Sequence, residues 1–376
     1  MQKTIQSKYA KIIIIFLCSR ITYGIIIAAC GSSISQLCTQ WDSEHYLSIA
    51  QNGYTSVWQT AFFPLIPVLI RFIGVKGLLI VNQAAFFAVL FLLYSLTAKK
   101  ESYILQLFAF GSCGFFSMIP YTEVLLLFLT LLVYYLFTKR RFGFIFGCIM
   151  GIAVTVKSIA AMLYFAVFIG MCVLWHAHKL KFLDIIRTYI PATIISCLYP
   201  FYLQVTFGSW KSFIDCQYDY WKRMKINPVQ ELYIQLKTIF GNIEGNCVLF
   251  RINEVLSLTI VCFILYEIYC YIRSYKTRQN DLSDMLVLIL YVLFSLAAIN
   301  ATIRIPSYNA PTTSFYRYYY SLFPIYLLAE NMSQKKKNVV YACSTAISFI
   351  TAIIFIKNEA SGIMVEAKHH KFTFTY

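Results

Sequence analysis

Ile12-Ile13-Ile14-Ile15-Phe16-Leu17-Cys18-Ser19-Arg20-Ile21-Thr22-Tyr23-Gly24-Ile25-Ile26-Ile27-Ala28-Ala29-Cys30 is an apolar run broken by one charge, Arg20. A helix needs about 20 such residues to cross the ~30 Å hydrocarbon layer of a bilayer. The run therefore reads as a membrane span. Lys3, Lys8 and Lys11 precede it. It is too long for a typical leader and lacks a clear small-residue cleavage site, so a retained signal-anchor helix is expected.

Outward from this run the pattern repeats. Of 376 residues, 59% are hydrophobic and 13% are charged, against about 25% charged in a soluble domain. An excess of this size has no place in a globular core, so lipid must be the solvent for most of the chain. Further apolar stretches fall at 77–98, 103–120, 122–138, 142–157, 159–175, 185–207, 254–272, 283–300, 316–330 and 338–356. The expected architecture is an all-α polytopic membrane protein, one integrated domain over 1–376, with about eleven transmembrane helices.

The net charge of +16 does not point to nucleic acid, because the basic residues are dispersed between spans and not gathered on a soluble module. Lys99-Lys100, Lys139-Arg140-Arg141, His176 to Lys181, Arg273 to Arg278 and Lys335 to Lys337 occupy alternate loops, on the side of the basic N-terminus. The positive-inside rule makes that side cytosolic. The lumenal or extracytoplasmic side then carries two long segments, 31–76 and 208–253, and a shorter one at 301–315. The sequons at Asn300 and Asn331 lie too close to a span or to the cytosolic lysines to be good glycan sites. The twelve cysteines follow no zinc-ligand spacing and lie mostly in apolar stretches, where a thiol behaves as a small hydrophobe. Cys216 and Cys247 fall in one loop; a disulfide between them and two free thiols both stay open.

The first long segment contains Trp41-Asp42-Ser43-Glu44-His45-Tyr46-Leu47-Ser48-Ile49-Ala50-Gln51-Asn52-Gly53-Tyr54. Leu47, Ala50 and Tyr54 recur at helical spacing among polar residues, which predicts an amphipathic helix on the membrane surface. Asp42 at its start admits two readings. One is an N-cap, worth about 1 kcal/mol. The other is a general base, the group that glycosyl transfer to an alcohol needs to take the acceptor proton. His45, one turn on, is placed to contact acceptor oxygens or to orient Asp42, and Glu44 falls on a solvated face. The proline-broken stretch Ala61 to Arg71 reads as a second interfacial or re-entrant element.

Trp41-Asp42-x-x-His45-Tyr46-Leu47-x-Ile49-Ala50-x-x-Gly53-Tyr54, followed by Ala61-Phe62-Phe63-Pro64-Leu65-x-Pro67, closely resembles the signature of the PIG-V family. Ser19-Arg20 looks like that family's Ser/Cys-Arg, and Tyr121-Thr122-Glu123 is similar to its Tyr-Ser-Glu. Ile303-Arg304 ahead of Ser307, Pro311 and Tyr316 looks like its Ile/Val-x-Arg with a downstream stretch containing serine, proline and tyrosine. The chain departs at Lys157-Ser158-Ile159-Ala160, where the family often has Arg-Ser-Asn-Gly, and 208–253 is hard to match.

The resemblance implies a GT-C type glycosyltransferase of the endoplasmic reticulum membrane, with its active site in the first lumenal loop. It further implies transfer of the second mannose of a glycosylphosphatidylinositol precursor, from dolichyl-phosphate mannose to the first mannose, in an α-1,6 linkage with inversion. Asp42 would be the catalytic base. Trp41 and His45 would contact substrate, and Arg304 would clamp the leaving phosphate, which gains charge as its bond to the sugar breaks. Partners would be the two lipid-linked substrates, membrane lipids and a small accessory subunit. No cofactor beyond the lipid-linked donor is expected, and no cluster of Asp, Glu and His forces a metal.

Charge inside hydrocarbon costs roughly 2.5–3.5 kcal/mol, so the other intramembrane ions need reasons. Glu123 opens a helix, where the dipole favours a carboxylate, or serves the site. Lys157 either snorkels or binds phosphate. Arg317 is a second clamp candidate, or with Tyr318-Tyr319-Tyr320 anchors an aromatic belt. Arg20 holds a structural ion pair or faces the lipid-phosphate cavity. Asp184 and Glu267 read as structural. Two rival functions are another polyprenyl-phosphate-sugar transferase with a different acceptor, and a non-enzymatic lipid or solute carrier; no inverted repeat of the kind carriers show is visible.

Overall fold

A computed structural model describes residues 2–97, 102–241, 247–273, 281–304, 312 and 314–360. Lys99-Lys100, the basic stretch after Arg273, Glu244, Ser307 and Pro311 lie outside the described residues, as do the side chains of Lys3, Lys8, Cys247, Arg304 and Asn331.

In chain order the helices are α1 (Gln2–Ala29), α2 (Ile34–Leu37), α3 (Asp42–Asn52), α4 (Leu65–Leu96), α5 (Ser102–Ala109), α6 (Ser112–Phe116), α7 (Glu123–Thr138), α8 (Phe144–Val156), α9 (Ala160–His176), α10 (Phe182–Phe207) and α11 (Ser212–Asp219). The strand β1 (Arg223–Lys225) precedes α12 (Pro228–Phe240), α13 (Cys247–Arg273) and α14 (Leu282–Asn300). The strand β2 (Thr302–Arg304), α15 (Phe315–Tyr320), α16 (Pro324–Leu328) and α17 (Gln334–Ala360) complete the order. Among the described residues, six helices are long and apolar enough to cross a bilayer: α1, α4, α10, α13, α14 and α17. The protein is an all-α polytopic membrane protein, with one two-stranded ribbon as its only sheet among the described residues.

The span pattern differs from the expected one in three places. The run 103–120 is not one helix. It breaks between α5 and α6 at Gly111, where an added Cβ would sit 2.6 Å from the Leu107 carbonyl oxygen. The carbonyls freed at the break are claimed by Tyr23, whose hydroxyl donates to Phe110 O at 2.9 Å and Gly111 O at 2.8 Å. The run 316–330 is likewise split into α15 and α16, with Pro324 opening the second piece and Tyr326 donating to Tyr320 O at 2.7 Å. Broken helices survive at membrane depth only when protein satisfies the backbone. Both runs are almost wholly buried. Hydropathy cannot separate such a buried apolar run from a lipid-facing span.

The third difference concerns 61–71, which is not an element of its own. Pro64 and Pro67 flank the first turn of α4, where a missing N–H costs nothing, and the helix continues to Leu96 through a bend at Gly74. Gly74 has φ 70 and ψ 173, a left-handed conformation that glycine tolerates without a Cβ clash.

α7, α8 and α9 are shorter, at 16, 13 and 17 residues, and α7 is enclosed by α4, α8, α9 and α14. α8 packs closely on α10 through small residues. A Cβ on Gly147 would strike the Thr188 carbonyl, and one on Gly151 would lie 2.8 Å from the Ala192 carbonyl oxygen. This is the Gly-x-x-x-Gly spacing that lets helix backbones approach within lipid.

At about 1.5 Å per residue, α7 is roughly 24 Å long, and each of its ends carries a charge cluster. At its C-terminal end Arg140 pairs with Asp284 and, at 2.9 Å, with Asp281; Lys179 reaches Asp281 at 3.1 Å. Burial opposes the charge on Asp281, but Lys179, the Ser283 N–H and Arg140 outweigh it and hold its carboxyl down at about 2. Three connections, following α7, following α9 and preceding α14, are thereby tied together at one end. Asp184 serves as expected for a structural residue, accepting from the Lys181 N–H at the start of α10. Cys216 is buried and unpaired among the described residues, which do not include the Cys247 side chain.

Candidate active site

The other end of α7 begins at Glu123, whose side chain is 1% exposed. The helix dipole favours its charge, and two cations complete the match. Arg317 Nε lies 3.2 Å from Glu123 Oε1, and Lys157 Nζ lies 3.6 Å from the same oxygen. Arg317 sits in the first turn of α15, which starts after Ser314 at φ 69. Lys157 follows the last residue of α8 in extended backbone, φ −165 and ψ 138.

The second carboxylate comes from the opposite end of the chain. α3 does not begin with Asp42 as its cap. Trp41 occupies that position, at φ 54 and ψ −131, with no side-chain capping bond. The Asp42 carboxylate is instead turned to Arg317, with Oδ2 3.0 Å from Nη2. The reason is electrostatic: an exposed cap bond is worth about 1 kcal/mol, whereas a buried guanidinium left with one partner would cost more. The stripe of α3 that packs inward is Ser43, Tyr46, Ile49 and Ala50, set against α4. The apolar face therefore meets protein, and the expectation of a helix lying free on the membrane surface is corrected. Glu44 is exposed, as expected of a solvated face.

Asp42, Glu123, Lys157 and Arg317 thus form one cluster drawn from α3, α7, the end of α8 and α15. Aromatic rings enclose it. Arg317 lies 5.0 Å from the Tyr121 ring centroid, 5.2 Å from Phe116 and 5.4 Å from Tyr318, and Lys157 Nζ stands 3.9 Å from Tyr318. The two carboxylates are not equivalent. Glu123 is sealed, while the Asp42 side chain is 35% exposed. Only Asp42 can meet an incoming molecule without rearrangement. Around it, the buried Gln40 Oε1, Trp41 Nε1 and Ser43 Oγ have no hydrogen-bond partner among the described residues. Buried polar atoms are ordinarily satisfied, so these three are spare donors and acceptors beside a reachable carboxylate.

His45 faces a different wall. Its ring centroid lies 4.8 Å from Phe62, 5.1 Å from Trp58 and 6.0 Å from Trp221. Burial lowers its pKa, although Asp42 and Glu44 pull the other way, so the imidazole is neutral at pH 7. Trp221 donates from Nε1 to Trp58 O at 3.1 Å, joining segment 208–253 to the first long segment. Nothing in the spacing of 208–253 signals Trp221. Tyr121 and Tyr318 adjoin residues already singled out, and charge scarcity marked only those neighbours.

One expected residue goes elsewhere, and a second is placed by its backbone alone. Arg20 has no carboxylate partner among the described residues. Its Nη atoms donate to Gln83 Oε1 at 3.0 Å, Ser19 Oγ at 2.9 Å, Gly114 O at 3.0 Å and Ser117 Oγ, and the guanidinium lies 4.0 Å from the Phe86 ring centroid. That set ties α1, α4 and α6 together through neutral groups, in place of the expected ion pair. Arg304 lies in β2, where its backbone is the register partner of Arg223 in β1. Arg223 in turn approaches the Phe315 ring, 5.9 Å to its centroid, so the ribbon runs beside α15. Glu267 is buried in α13.

Comparison with protein-family models, curated proteins and solved structures finds no match for the chain.

Proposed function

We propose that the chain is a GT-C type mannosyltransferase of the endoplasmic reticulum membrane, using dolichyl-phosphate mannose and adding the second mannose of a glycosylphosphatidylinositol precursor. The observation that carries this is the convergence of Asp42, Glu123, Lys157 and Arg317 on one point. These residues come from separate stretches of the chain, and the stretches around Asp42 and Glu123 are among those that resemble the PIG-V signature. The six helices long and apolar enough to cross a bilayer support a polytopic architecture of this kind.

In the proposed reaction the 6-hydroxyl of the first mannose attacks C1 of the donor mannose. The C1–O bond to phosphate breaks, the electron pair leaves with dolichyl phosphate, and the hydroxyl proton passes to Asp42. A single displacement on a β-linked donor gives the α-1,6 product. Arg317 holds one Asp42 oxygen, leaving Oδ1 to accept the proton. Such a base contributes about 10²–10⁴ in rate. Trp41, next to Asp42 in the chain, would contact the sugar only after its buried indole N–H is uncovered. Arg304 on its ribbon, with Lys157, supplies positive charge for the leaving phosphate. His45, neutral and ring-packed, forms an acceptor-side wall.

Sidedness follows the same logic. The basic connections at the Arg140 end belong in the cytosol with the N-terminus, which leaves the Asp42 end lumenal. The test is transfer by the purified full-length chain in vesicles, given dolichyl-phosphate mannose and a glycolipid acceptor bearing one mannose. The expected product is one hexose heavier, with an α-1,6 bond. Mannose transfer to a different acceptor only, or no consumption of donor, would overturn the assignment.

A further inference from the structure

Helix α12 is built inside out. Asn227 caps it by accepting the Gln230 N–H at 2.9 Å, Pro228 occupies the first turn, and Gly241 follows its end. Glu231, Gln235 and Thr238 are 7%, 4% and 5% exposed, whereas Val229, Tyr233 and Phe240 are 78%, 65% and 81% exposed. A helix bathed in water shows the opposite arrangement. Gln235 donates to Glu231 at 3.4 Å, and both lie on the side of α12 that packs on α13, where Glu254 is fully buried. Turning the apolar face inward would therefore expel that polar layer.

With 13 residues, α12 is about 20 Å long, too short to cross the ~30 Å hydrocarbon layer. Its packing partner is itself a membrane span. The N-terminal part of α13 exposes Ile252 and Val255 at 48% and 44%. Lys237 is exposed near the C-terminal end of α12, where a long cationic side chain can reach headgroups.

We propose that α12 is an interfacial helix whose Val229, Tyr233 and Phe240 face is seated among the acyl chains of the bilayer, continuous with the lipid-facing surface of α13. This gives segment 208–253 a physical role: α12 is a lipid-anchored brace for the stretch just before it, which carries β1 and sets Trp221 against His45. The assignment does not depend on the transferase reading.

Photo-crosslinking of the full-length chain tests it. p-Benzoylphenylalanine is placed at Phe240, at Val229 and, as a control on the aqueous edge, at Gln230, in phosphatidylcholine–phosphatidylethanolamine vesicles. Mass spectrometry then reads the adducts. Lipid adducts at 240 and 229 should exceed those at 230 by about tenfold, as expected for a face sunk into the acyl boundary. Adducts to a second copy of the chain or to another protein, or equal lipid adducts at all three positions, would overturn it. Equal thermal unfolding midpoints for the three variants exclude a folding defect as the source of any difference.

Discussion

At the residue scale the cluster is governed by one guanidinium with two acidic partners. Arg317 is nearly sealed and bonds Asp42 and Glu123 together. Removing one partner of a buried pair costs about 3–5 kcal/mol, because the other charge is left uncompensated. Glu123→Ala strips Arg317 and Lys157 of their shared carboxylate, so it is expected to lower the thermal midpoint more than Asp42→Ala, whose carboxylate is the more exposed. Differential scanning fluorimetry of the two variants in detergent checks the order. The same residues show how far the sequence could be read. Asp42, Glu123, Lys157 and Arg317 each stood out because charge is scarce in an apolar chain. Their pairing did not, because Asp42 and Arg317 are 275 positions apart and no local spacing encodes such a contact. Arg20 stood out for the same reason, yet its Nη groups bond neutral oxygens.

At the scale of elements, local chemistry explains most starts and stops. Pro64 and Pro67 open α4, and Gly74 bends it; these residues are visible in the sequence, although the stretch they punctuate reads as a separate element until α4 is seen whole. The buried breaks at 110–111 and 321–323 were not legible, since the hydrogen bonds that satisfy them come from other helices, Tyr23 of α1 and Tyr326 of α16. The polar side of α12 leads to a pH prediction. Desolvation first, and then Glu254, push the Glu231 carboxyl up from 4.5 to about 7. The folded state thus retains a proton that the unfolded chain releases between these values. Stability from this group is full below about pH 4.5 and declines as pH rises toward about 7. Glu231→Gln is expected to flatten that decline and to raise the thermal midpoint above pH 7 relative to the parent. An unchanged slope of midpoint against pH would contradict the assignment.

At the scale of the whole molecule, α7 separates two charged ends. Composition alone showed a polytopic helical protein, and loop charge alone sorted the connections into two sets. The contacts of Arg140 and Lys179 with Asp281 unite connections of the basic set at one end, while the Asp42 cluster occupies the other. The proposed topology predicts that, in sealed microsomes, a cysteine replacing the exposed Arg141 reacts with a membrane-impermeant maleimide. One replacing the exposed Gln51 should react only after permeabilisation. Equal labelling of both in sealed vesicles would reverse or dissolve the assigned sides.

The central claim is that the cluster exists to make Asp42 a base, and it is tested most directly by mannose transfer from dolichyl-phosphate mannose in the Asp42→Asn variant. Asparagine keeps the size of the side chain and a hydrogen bond to Arg317 but cannot take up the acceptor proton, and Glu123 remains to balance Arg317. The expected result is a loss of about 10²–10⁴ in transfer rate with the thermal midpoint close to that of the parent. Near-parental transfer by the folded variant would contradict the account and leave Asp42 as a structural partner of Arg317.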